Sequence, residues 1–349
     1  MEEENGYHIV QIFELTYRND CDDYTWNNIV FIRMISNIRQ KINSLLYRFS
    51  SRKQPDKVPV RKQEFSIGIY KGSSPLALEP IHGIHYPVLS QTDVTDVPAR
   101  DVADPFMIHV NNTWYMFFEI RNQNNGLGEI GLAISADCLH WEYQRIVLAG
   151  PVHMSYPYVF EWENEYYMVP EAWKSGGAKL YKADAFPYQW TCIGTLIEGS
   201  RIADSSIFRH KDMWWILADT GKDYKSPVLS LFYSEDLMGT WIQHPLSPIV
   251  DNNPHIARPG GRVVSLGDSL VRFAQDVIPV YGSQVYAFEI QELSTTTYRE
   301  KQIQDGPILS SGNSEWNSGG MHHIDAHQLD NGTWLACVDG FLWREQEIK

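Results

Sequence analysis

From Phe65 onward the chain alternates apolar and polar positions in short runs rich in β-branched and aromatic residues, with polar turns between them. A period of two marks strands and not helices. The runs come in pairs. NTWYMFFEI, NEYYMVPEA, DMWWILADT, DSLVRFAQD and NGTWLACVDG align as second strands, preceded by ADPFMIHV, SYPYVFEW, ADSSIFRH, RPGGRVVS and HHIDAHQL as first strands. Third and fourth strands follow in four of the units, as in GEIGLAIS and WEYQRIVL. Asp104, Tyr156, Asp204 and Arg258 mark the repeat at intervals of 52, 48 and 54 residues, which suits four-stranded propeller blades better than solenoid turns. The last unit stops after its second strand at Gly340, while EFSIGIYKGSSPLALEPIHG reads as third and fourth strands without a first and second. Joining the two ends closes a ring and covers its strand edges. The pattern predicts an all-β, five-bladed β-propeller over residues 65–349.

Residues 1–64 read differently. Ile29, Ile32, Ile35, Ile38, Ile42, Leu45 and Leu46 fall at helical spacing between Trp26 and Phe49, and the basic stretch SSRKQPDKVPVRKQ follows as a linker. A short N-terminal helical extension is expected ahead of one propeller domain.

A length of 349 residues is compatible with a single propeller. The net charge of -14 repels polyphosphate and argues against nucleic acid as a partner. With 12 Trp and 19 Tyr there is enough aromatic surface for a core and for ring-stacking faces. Cys21, Cys138, Cys192 and Cys337 are isolated and form no C-x-x-C pair. The chain has no apolar run of the roughly 20 residues that span a membrane. Its acidic start is unlike a secretory signal. A cytoplasmic protein without a transmembrane segment is expected, so the Asn111 and Asn331 sequons read as hairpin turns.

In an antiparallel pair, the start of the first strand and the end of the second meet at one end. Here the second strands end on Glu119, Glu171, Asp219, Asp276 and Asp339, the first three each 15 residues after Asp104, Tyr156 and Asp204. The matching strand starts carry Asp104, Tyr156, Asp204, Arg258 and the cluster His322, His323, Asp325 and His327. Singly, an Asp at a strand start is a turn or capping residue. Together they predict one mouth crowded with carboxylates that Arg258, Arg262 and the histidines offset. Carboxylates whose pKa values are driven apart are what glycosidic cleavage uses, one to donate a proton and one to activate water. His323, Asp325 and His327 alternate onto one strand face and could hold a channel cation; no catalytic metal or other cofactor is expected. Gly260 and Gly261 lack the Lys-Ser/Thr of a phosphate loop and read as glycines of a crowded blade turn.

Across about residues 65–340, the phrases VADPFM, WYMFFE, GEIGLAIS, SYPYVFEW, RFAQD, YGSQVYAFEI and MHHIDAH resemble the N-terminal, non-transferase region of plant glucosamine inositolphosphorylceramide transferases and their bacterial relatives. The resemblance implies that sugar transfer in those proteins belongs to a separate C-terminal domain. More distantly, the blades resemble glycoside hydrolase family 43 propellers. That likeness implies a base at Asp104, a pKa-tuning Asp at Asp204 and an acidic Glu opening blade four. Ala257-Arg258-Pro259 stands at this last place, and a guanidinium cannot donate a proton at neutral pH.

Three readings follow. An enzyme, placed first, would use Asp104 as base, Asp204 as orienting carboxylate and Glu171 or Asp276 as acid, with Glu119, Asp219, Arg258, Arg262, Gln275, His322, His323, Asp325 and His327 about the ligand's hydroxyls or anionic group. The alternative is a binding module that grips a glycan or sugar-phosphate head group for a partner glycosyltransferase, with Tyr156, Tyr158 and Trp173 as stacking platforms. A purely structural propeller leaves the concentrated mouth unexplained.

Overall fold

The computed structural model describes residues 60–346 and, ahead of them, Lys41; the helix expected over Trp26–Phe49 lies outside the described residues apart from Lys41. Residues 60–346 form five antiparallel sheets, and helix among them is limited to the 3-10 turns Trp173–Ser175 and Glu315–Asn317. The chain is a five-bladed β-propeller.

Blade one comprises Ala99–Val110, Thr113–Asn122, Gly128–Ser135 and Glu142–Leu148, and blade two Ser155–Trp162, Glu165–Glu171, Gly177–Ala185 and Gln189–Glu198. Blade three begins with Ala203–His210, Met213–Asp219 and Val228–Ser234. Its expected fourth strand is interrupted: Ile242–Gln243 and Val250–Asp251 pair separately with Val228–Ser234. Pro245 and Pro248 lie between them, and proline has no N–H to offer a ladder. Blade four's first strand is likewise split into Arg258–Pro259 and Val264–Leu266, both paired with Ser269–Asp276; Gln284–Leu293 and Tyr298–Gln302 complete it. Between the two pieces, Gly261 has φ 139°, and a Cβ there would stand 1.7 Å from the Ile324 carbonyl oxygen. Blades four and five approach too closely for any side chain at that point.

Blade five is built from both ends of the chain, in the order Ala77–Pro80, Val60–Ser74, Trp334–Gln346, Ile324–Gln328. The closing strand begins at Val60, inside the stretch read as linker. Arg61–Glu345 and Glu64–Arg344 contacts of 3.2 and 3.1 Å lie along this pairing. Such exposed ion pairs contribute little. The ladder itself removes the free edge.

First and second strands are joined by tight turns at Asn111–Asn112, Glu163–Asn164 and Lys211–Asp212, with positive φ at both residues of each, as the twist of two-residue hairpins demands. The core lies between blades: Phe106 and Phe117 of blade one pack with Val159 and Met168 of blade two and Ile207 and Ile216 of blade three. Strands covered on both faces carry unbroken apolar runs, as at Met116, Phe117 and Phe118.

Candidate functional site at the propeller mouth

The first strands of blades one to three break register at the same place, between Ala103 and Phe106, Ser155 and Tyr158, and Ala203 and Ser206. Inside these bulges Asp104, Tyr156 and Asp204 have φ of 52°, 48° and 49°. This left-handed backbone costs an L-residue about 1–2 kcal/mol, so tertiary contacts must hold it. The Asp104 N–H donates to Asp339 Oδ2 at 2.9 Å and the Asp204 N–H to Glu171 Oε2 at 3.2 Å. An acid of one blade's second strand thereby latches the bulge of the next; Asp339, expected at a strand end, lies within Trp334–Gln346.

The mouth encloses a cavity of about 680 Å³. Asp104, Glu119, Glu171 and Arg258 line it together with the segment Val277, Ile278, Pro279, Val280 and Tyr281; Gln63, Arg121, His153, Ser155, Tyr224 and Lys225 complete the lining. The strand-end acids thus divide by length. Glu119 and Glu171 reach the cavity, whereas the shorter Asp219 and Asp276 bind their own following loops. Asp219 Oδ1 accepts from the Gly221 and Val228 N–H at 2.8 and 2.9 Å, and Oδ2 from Arg201 at 2.9 Å. Asp276 accepts from the Ile278 N–H at 2.8 Å, from Gln284 at 3.0 Å and from His255 at 2.9 Å. These two therefore shape the loops carrying Tyr224, Lys225 and the apolar wall.

Asp204 and Gln275 stand behind the cavity. Arg258 Nε donates to Asp204, as does Gln275 Nε2 at 3.0 Å, and Arg258 reaches Glu171 at 3.5 Å. Tyr156 and Tyr158, expected as stacking platforms, are 0% and 2% exposed. The Tyr156 hydroxyl accepts from the Gly261 N–H at 2.7 Å and bonds Ser206 at 2.8 Å; Tyr158 lies under the Arg262 guanidinium, 4.6 Å from its ring centroid. Neither presents a face to a ligand. The Trp173 side chain is outside the described residues.

Arg262, Asp325 and His327 form a separate knot that does not line the mouth. Asp325 accepts from Arg262 Nε at 2.6 Å and the Met107 N–H at 2.6 Å, with His327 Nε2 at 2.8 Å. A guanidinium thus sits on the carboxylate expected to face a cation. His323 shares none of these bonds: its ring packs edge-on against Phe106 and Tyr156, with centroids at 4.6 and 5.2 Å. Among the described residues, the ligand-type atoms that do converge, within 4.8 Å, belong to Asp104, His322 and Asp339. His322 bridges the two acids at 3.3 and 2.7 Å, which accounts for that closeness.

Electrostatics separate the acids. Burial pushes Glu171 well above the usual carboxylate range and the neighbouring Asp204 charge adds to this, with Arg258 offsetting only part. Burial would also raise Asp204, but Arg258 outweighs it and holds that carboxyl below its ordinary value. Glu119 is buried too, yet Arg121 and His153 bring it down to about 2. Asp104 is raised by burial, against the pull of His322. His322 itself, despite burial, is carried up to about 10 by Asp339 and Asp104. The mouth therefore drives two acids of one cavity apart, Glu171 upward and Glu119 downward.

Arg121, His153, Tyr224, Lys225 and Tyr281 were not singled out from the sequence. Arg121 is two residues beyond Glu119 and Tyr281 five beyond Asp276; the topology that brings strand ends to the mouth brings these with them.

Over residues 59–341 the chain matches the family described as glucosamine inositolphosphorylceramide transferase 1, N-terminal. It belongs to that family. The rice (Oryza sativa subsp. japonica) glucosamine inositolphosphorylceramide transferase 1 is 35% identical over 303 residues, which is 81% of this chain and 41% of the rice protein. The Arabidopsis thaliana protein of the same name is 32% identical over 296 residues, 79% of this chain and 39% of that one. The chain thus spans about two fifths of the length of these relatives. Among solved structures, a putative glycoside hydrolase from Parabacteroides distasonis superimposes with a TM-score of 0.59 at 12% identity, covering 77% of this chain and 98% of that one. A mutant of the Cellvibrio cellulosa alpha-L-arabinanase gives a TM-score of 0.51 at 18% identity, covering 72% and 93%. These likenesses show the propeller fold that this family member shares.

Proposed function

We propose that the mouth binds a glycan or sugar-phosphate and cleaves a glycosidic bond by carboxylate acid–base chemistry. The observation that carries this is the split among acids of one cavity: burial pushes Glu171 well up, Arg121 and His153 bring Glu119 down, and Asp104, raised by burial against the pull of His322, faces the same space. In this reading Glu171 gives its proton to the leaving oxygen as the C1–O bond breaks. Asp104 takes a proton from the water whose oxygen bonds to C1. Asp204, held by Arg258 and Gln275, orients Arg258 and raises Glu171 without touching the ligand. Glu171 thus takes over the proton donation that Arg258 cannot perform. Val277–Tyr281 offers the apolar face on which a sugar ring rests.

A second reading has its own support. Arg258 occupies the place of the expected acid, and the relatives are named as transferases, so the mouth could instead hold a glycolipid head group for a glycosyltransferase. Turnover and affinity measured on aryl glycosides, inositol-phosphate glycans and nucleotide sugars separate the two. Loss of turnover in Asp104→Asn and Glu171→Gln with binding retained supports the enzyme; binding by the wild type without turnover leaves the module; neither activity nor binding defeats both.

A further inference from the structure

The mouth cavity adjoins a second hollow of about 330 Å³, and the two share Gln63, Arg121 and Tyr281. Arg61, Lys62 and Phe65, from the closing strand Val60–Ser74, Arg100, from the first strand of blade one, and Trp343, from Trp334–Gln346, line the rest of it. Four cations thus surround one hollow of a chain whose net charge is -14.

Three carboxylates stand near these cations. Glu345 pairs with Arg61 at 3.2 Å, but their side chains are 61% and 63% exposed, so water competes for that contact. Asp101 binds Arg100 at 2.7 Å and lies 3.8 Å from Arg121 Nε. It is 2% exposed, behind the guanidiniums. Glu119 holds Arg121 at 3.3 Å from the mouth side. The two buried acids thus fix two planar guanidinium forks whose side chains still line the hollow. Lys62 is exposed and has no ion pair among the described residues, and Arg121 Nε has no hydrogen-bond partner. Guanidinium forks held in place beside an exposed ammonium are groups that recognise phosphate oxygens. Arg258 and Arg262, the other cations expected to meet an anion, pair with Asp204 and Asp325 and do not line this hollow.

We propose that this hollow is an anion subsite, which takes a phosphate group carried by the ligand whose sugar occupies the mouth. The sugar part rests on the function proposed above; the anion part stands on the four cations alone. A phosphate ester of a soluble sugar and one of a lipid head group present the same oxygens to these residues.

Calorimetric titration of the full chain tests this with inorganic phosphate, N-acetylglucosamine, N-acetylglucosamine 1-phosphate and myo-inositol 1-phosphate. Sedimentation with phosphatidylcholine vesicles, with and without phosphatidylinositol, identifies a lipid source. The phosphate esters should bind about tenfold tighter than N-acetylglucosamine, and less so as salt is raised. Arg61→Ala/Lys62→Ala, at two exposed positions, should abolish that gain and leave N-acetylglucosamine binding unchanged, whereas Asp104→Asn should leave inorganic phosphate binding unchanged. Phosphate-dependent binding without any response to the sugar supports the subsite and defeats the sugar-binding mouth. Retention only on phosphatidylinositol vesicles, lost in the double variant, supports the subsite with a lipid as the source. If no phosphate probe binds, or the double variant binds them all as the wild type does, the proposal is overturned.

Discussion

Arg258, in blade four, stands 3.5 Å from Glu171, in blade two, and donates at the same time to Asp204 of blade three. One guanidinium therefore serves two buried acids on different blades. Asp204, at the shorter contact, is held below its ordinary range, whereas Glu171, at the longer one, stays raised by burial.

Removing that cation should cost more than removing the proton donor. Arg258→Met strands a buried carboxylate and should destabilise the propeller by about 3–5 kcal/mol. Glu171→Gln replaces one neutral group by another and should stay within about 1 kcal/mol. Urea unfolding of both variants measures this, and equal losses would contradict the assigned charge states.

The bulge at Asp104 makes a second expectation. Asn tolerates φ of 52° better than Ala does, so Asp104→Ala should be about 1 kcal/mol less stable than Asp104→Asn. If Asp104 is the base, turnover should fall 10²-fold or more in both. Thermal melts and initial rates report the two effects separately.

Tyr156 is expected to matter for the fold alone. Tyr156→Phe takes the partner from the Gly261 N–H and one from Ser206, which should cost about 1–3 kcal/mol. The ring is 0% exposed, so ligand affinity should not change; a loss of affinity at unchanged stability would show that the tyrosine reaches the ligand.

His322 predicts how stability varies with pH. Its pKa rises from 6.5 to about 10 on folding, so its contribution is full below about 6.5 and is lost as pH climbs through about 10. Glu171, also raised, acts with the same sign. Glu119, lowered from 4.5 to about 2, does the opposite: its contribution is present above 4.5 and lost as pH falls through about 2. Unfolding free energies between about pH 6 and pH 10 should decline, and His322→Gln should flatten that slope. A wild type equally stable across this range would mean that His322 is not held as an imidazolium.

The paired strands and the count of five blades were legible in the sequence, because they follow from a period of two and from antiparallel pairing, which are local rules. The same rules carry the ring closure through Phe65–Pro80. They do not say which acids open onto the cavity. Glu119 and Glu171 do so, and Asp219 and Asp276 do not, because the shorter side chains are captured by the Gly221, Val228 and Ile278 N–H groups. The first and third of these bonds reach two residues along the chain, a turn pattern that Asp favours and that the sequence does contain. Partner choice across the ring left no such mark. Arg258 meets Asp204 and Glu171, Arg262 meets Asp325, and Arg61 and Lys62 stand beside Arg100 and Arg121 only once the five blades have closed. Charge pairing depends on distance in space, and those distances are set by how the blades pack.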